Sequence, residues 1–148
     1  VTFVYKAFTT KYNCDSLRGK VKDLLLKLGA RPDLEVRTYG CTQIASPDPL
    51  PGVTIKMNVL QPAHSGETVP AHWKTVDLVS RDPTDAAGEC ELIDQLRREV
   101  LPLFAARNVQ FSTTCVPRQL NLGTTELKAE VLVPDPGTAA PTAPAAAR

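Results

Sequence analysis

The spacing of the four cysteines limits what this chain can fold into more than any other feature. Cys14 and Cys41 lie 27 residues apart, and Cys90 and Cys115 lie 25 apart. Corresponding members of the two pairs are offset by 76 and 74 residues. A 148-residue chain that places its cysteines twice in one pattern points to an internal duplication. Other matches recur in the same order. Val53-Thr-Ile-Lys-Met-Asn-Val-Leu-Gln-Pro62 aligns with Thr125-Glu-Leu-Lys-Ala-Glu-Val-Leu-Val-Pro134, and Leu28-Gly-Ala-Arg31 aligns with Phe104-Ala-Ala-Arg107.

Local patterns give each copy the order β-α-β-β. Residues 2–8 are rich in aromatic and β-branched side chains and read as a strand. Asn13 or Asp15 can cap a helix that runs to about Leu28, with Gly29 to end it. Leu17, Val21, Leu24, Leu25 and Leu28 share one face of that helix. A strand over 34–39, a proline-rich loop over 46–52 and a strand over 53–61 complete the first copy. The second has strands near 73–79, 108–114 and 125–133. Its helix covers about 89–105, is distorted at Pro102, and buries Ile93, Leu96, Val100, Leu103 and Phe104.

The expected fold class is α+β, a tandem duplication with two helices packed on mixed or antiparallel sheet. The expected divisions are a first repeat over 1–62, a linker over 63–72, a second repeat over 73–134 and a Pro/Ala-rich tail over 135–148. The repeats share one mixed sheet covered by two helices or pack as two small lobes; one sheet continuous across the repeats is the more economical choice, because it removes an exposed edge. The tail lacks apolar periodicity and reads as an extended stalk, or as a strap that orders on a partner.

This arrangement predicts the disulfides. In a right-handed β-α-β crossover the second strand runs parallel to the first. A cysteine at the helix start then meets one at the end of the second strand. The favoured bridges are therefore Cys14–Cys41 and Cys90–Cys115, each worth roughly 3–4 kcal/mol in the chain-entropy model. Disulfides imply an oxidising compartment. A chain starting at Val1 suggests a processed or trimmed N-terminus, a removed export signal being one explanation, and the absence of an Asn-x-Ser/Thr sequon suits a bacterial periplasmic or extracellular protein.

Charge and motifs narrow the function classes. The net charge of +1 gives no general attraction for nucleic acid. No apolar run approaches the roughly 20 residues of a membrane span. Arg18, Lys20, Lys22 and Lys27 are interspersed with Asp15 and Asp23, which reads as a solvated helix face, with a docking patch as the alternative. There is no nucleophile elbow, zinc-protease motif, phosphate-binding glycine loop or Cys-x-x-Cys. The leading expectation is a non-catalytic exported protein, a binding module or an accessory subunit of a larger assembly. A copper or zinc site at His64 and His72, with Met57 as a soft ligand, is the second reading. An enzyme with a site assembled between the repeats is the third. No cofactor is expected unless that metal is bound. Trp73, the only tryptophan, is either buried at the repeat interface or exposed where a partner binds. Non-reducing peptide mapping should recover Cys14–Cys41 and Cys90–Cys115; a bridge between the copies, or free thiols, would end this scheme.

Overall fold

A computed structural model describes residues 1–6, 12–41, 51–63, 68–80, 86–116 and 123–137, with the backbone alone at 86–88. His64, the proline-rich loop up to Leu50 and the tail beyond Gly137 lie outside the described residues. The elements are β1 (Thr2–Val4), α1 (Cys14–Lys27), β2 (Glu35–Tyr39), β3 (Gly52–Lys56), β4 (Ala71–Ser80), α2 (Ala86–Glu99), a 3-10 turn (Leu101–Leu103), β5 (Ala106–Thr113) and β6 (Thr125–Pro134). They form an α+β structure with two three-stranded antiparallel sheets, ordered β1-β3-β2 and β4-β6-β5. Both units share one element order and one sheet order.

The single continuous sheet expected from the sequence is not formed. In each unit the third strand inserts between the first two and pairs antiparallel with both. The first two strands therefore point the same way but do not touch, and no pair of neighbours is parallel. Insertion satisfies both inner edges of a small sheet with the chain at hand, so no joining across the units is required.

Local signals explain the helices. Asn13 caps α1, its side-chain oxygen accepting from the Ser16 amide at 2.8 Å. At the other end Ala30 N–H donates to Leu25 O and Gly29 N–H to Leu26 O, the Schellman pattern, with Gly29 at φ +88°. Gly29 has a second constraint. A Cβ there would lie 2.6 Å from a Val133 methyl, so the end of α1 can rest on β6 only as glycine. The second helix stops earlier than periodicity suggests. Pro102 has no N–H to continue the α pattern. Leu103 and Phe104 instead donate to Val100 and Leu101 in a 3-10 turn, which leaves Leu103 exposed rather than buried.

Strand lengths also depart from expectation. β3 ends at Lys56, not 61, because its neighbours run out: Glu35 pairs with Lys56 at the end of β2, and β1 is shorter still. Its counterpart β6 runs ten residues beside the ten of β4. β4 begins at Ala71, so His72 belongs to a strand and pairs with Val133, rather than lying in the linker.

The units share one core. Phe3, Tyr5, Leu17, Val21 and Ile55 of the first and Leu92, Ile93, Leu96, Leu127 and Val131 of the second fall in one buried cluster. A buried side chain fastens the seam. Gln95 on α2 accepts from the Lys6 amide at 2.9 Å and donates to the Lys6 carbonyl at 3.0 Å, so its carboxamide acts as a neighbouring strand just past β1. Replacing Gln95 with Ala should cost about 2–3 kcal/mol, since two backbone groups lose their partners in a half-buried place. Urea unfolding measures this, and a shift below about 0.5 kcal/mol would show the clamp to be idle.

Candidate functional site

In the second unit α2 packs over β6 and β4 and leaves β5 at the side. Among the described residues β5 has β6 on one edge and no strand on the other. A groove of about 480 Å³ opens between α2 and β5. Phe111 and the Cys90–Cys115 bridge line it, with Asp94, Arg98 and Glu99 along the helix side. Arg97 holds α2 to β5: its guanidinium lies 4.4 Å from the Phe111 ring centroid and also pairs with Asp94 at 2.8 Å. Arg98 takes the other Asp94 oxygen at 2.8 Å.

The free edge of β5 is regular for only part of its length. Between Arg107 and Gln110 the register shifts, with Asn108 at φ +51°. Such a bulge blunts an edge against indiscriminate pairing. Arg107 and Asn108 both donate to the Glu130 carboxylate, and these bonds hold it below the usual glutamate range. Residues Gln110–Thr113 beyond the bulge keep their pairing with β6, and Phe111 and Thr113 among them line the groove.

An analogous groove of about 530 Å³ lies between α1 and β2 of the first unit, lined by Arg18, Gly19, Lys22 and Arg37 with Glu35. The two grooves differ in charge, as do the halves of the chain. Residues 1–63 contain nine Lys/Arg and five Asp/Glu, whereas 64–148 contain eight and eleven.

The residues singled out by sequence fall in separate places. The disulfides of the structure are Cys14–Cys41 and Cys90–Cys115, each tying a helix start to the segment just after a strand. His72 Nδ1 lies 2.7 Å from Asp135 Oδ1 at an exposed corner, and its proposed co-ligand His64 is outside the described residues. Met57 is partly buried against the core. Among the described residues no group of three or more His, Cys, Asp or Glu is gathered as for a metal. Trp73 is half-buried on the solvent face of the second sheet, with the Arg107 guanidinium 4.2 Å from its ring centroid. It is neither in the unit interface nor in the groove. Sequence reasoning missed both grooves and Gln95; the charge difference between halves was the available signal.

Comparison with protein-family models, curated proteins and solved structures returns no match to this chain. Two disulfides fit an oxidising compartment, and no helix among the described residues is long and apolar enough to cross a membrane.

Near the groove, Tyr5 is buried and its hydroxyl donates to Glu91 at 3.3 Å. Burial first, and then the Glu91 charge, push its phenol well above the ordinary tyrosine value. A group with a raised folded pKa gives stability that is complete below the unfolded pKa, near 10, and fades as pH rises beyond it. Thermal unfolding between about pH 9 and 11 should therefore show a falling midpoint. Tyr5→Phe should flatten that fall; an equally steep fall in the variant would assign the effect elsewhere.

Proposed function

We propose that this chain is a non-catalytic, exported binding module or accessory subunit, built from two copies of one β-α-β-β unit, and that it engages a protein partner at the α2–β5 groove. The observation that carries this reading is the regular edge of Gln110–Thr113, which has no neighbouring strand among the described residues, beside an open groove. An extended segment added there gains backbone hydrogen bonds from the edge and side-chain contacts from the groove. The disulfide in the groove fixes strand and helix relative to each other, which lowers the ordering cost of binding. All four cysteines are bridged, so none serves as a thiolate nucleophile in this state. A periplasmic or extracellular setting agrees with the bridges.

The metal reading keeps one supporting observation. Asp135 engages Nδ1 of His72, the arrangement that orients a metal-binding imidazole through its other nitrogen. Calorimetric titration with zinc and copper tests it; no binding tighter than about micromolar removes it.

For the leading reading, native mass spectrometry of protein from its natural source should show a protein partner. Hydrogen exchange of that complex should then show protection gained at Gln110–Thr113. Protection gained only at other surfaces, or a chain always found alone and turning over a substrate, would defeat the proposal.

A further inference from the structure

The two grooves occupy matching positions between helix and edge strand, yet one is basic and the other has an acidic helix side. We infer that this chain also binds a second copy of itself, the α1–β2 groove of one copy receiving the α2 surface of the next. This rests on the subunit reading above alone and leaves the Gln110–Thr113 edge open to the other partner.

Three observations support the pairing. First, Lys22 in the basic groove and Glu99 in the acidic one are exposed and have no ion pair among the described residues. Second, the same complementarity already works within one molecule, where Lys20 of α1 meets Glu89 of α2 at 2.6 Å. Third, Gly19 lies mid-helix, where glycine is disfavoured relative to alanine. A Cβ at Gly19 would meet nothing within 4 Å, so packing inside the molecule does not require glycine. Its absence instead leaves helix backbone bare on the groove wall, where another chain can approach closely. Leu26, one turn beyond Lys22, and Val116, at the acidic groove, are exposed and give the contact an apolar part.

Exposed ion pairs are individually weak and are screened by salt. The association is therefore expected in the roughly micromolar-to-millimolar range and should be salt-sensitive. The contact joins unlike surfaces, so it closes into a ring, closes at two copies, or extends as a chain according to its rotation.

Sedimentation velocity and native mass spectrometry of the full chain alone provide the test. At about 50 mM salt the mean mass should rise with concentration, and at about 500 mM it should return to that of the monomer. Lys22→Glu and Glu99→Lys should each raise the dissociation constant about tenfold or more, with unfolding midpoints unchanged. An equimolar mixture of the two variants should recover assembly, because each supplies the surface the other has lost. Gly19→Ala should raise the unfolding midpoint while weakening association, a combination that a merely structural glycine would not give. A chain that stays monomeric at about millimolar concentration in low salt overturns the inference. So does association indifferent to both charge reversals, or a mixture that fails to recover. If the isolated chain is monomeric while a different protein protects Gln110–Thr113, the binding-module reading stands and the second copy is excluded as a partner.

Discussion

One helix is too narrow for three strands. A helix with its side chains is about 10–12 Å across, while three strands at about 4.8 Å spacing present a wider floor. Among the described residues each unit has one 14-residue α-helix. In the second unit that helix covers β4 and β6 and leaves β5 aside. Two consequences follow from this shortage of cover. Neither unit encloses its own core, so the apolar residues of both merge into one cluster. In the second unit the uncovered margin beside β5 becomes a groove; in the first the groove lies between α1 and β2, which α1 does contact.

The seam between the units relies on shape and polar pairing as well as apolar contact. Gly29 lets the end of α1 come down on Val133. The Gln95 carboxamide supplies what a fourth strand would have supplied to Lys6. Tyr5 buries its ring at the same seam and sends its hydroxyl to Glu91. These contacts link opposite units, so they make two small sheets interdependent without joining them edge to edge.

Features carried by short-range chemistry could be read from the residues. The buried face of α1, the Asn13 cap and the Gly29 stop all follow from spacing and propensity within a few residues. The end of α2 was misread because apolar spacing continues through Pro102 in a 3-10 turn, which periodicity alone does not separate from a distorted helix. Strand ends were misjudged where pairing decides them. Val59 and Leu60 look strand-like, but the pairing of β3 stops at Lys56, opposite Glu35, where β2 begins. Gln95 was invisible for a related reason: a polar residue on a helix declares nothing until the backbone it will meet, 89 residues away, is in place. The grooves required knowing which edge strand lies beside each helix, and that depends on sheet order rather than on any local pattern.

That order also bears on how the molecule comes together in time. The central strand of each sheet is the last of its unit in the chain, β3 in one and β6 in the other. While the chain emerges from a ribosome or a membrane pore, β1 and β2 have no neighbour within their sheet until β3 follows, and β4 and β5 wait in the same way for β6. Helix and second strand of each unit are available to their disulfide before the sheet exists. Cysteine oxidation can thus draw the outer parts of a unit together first, leaving a gap of one strand's width into which the final segment closes.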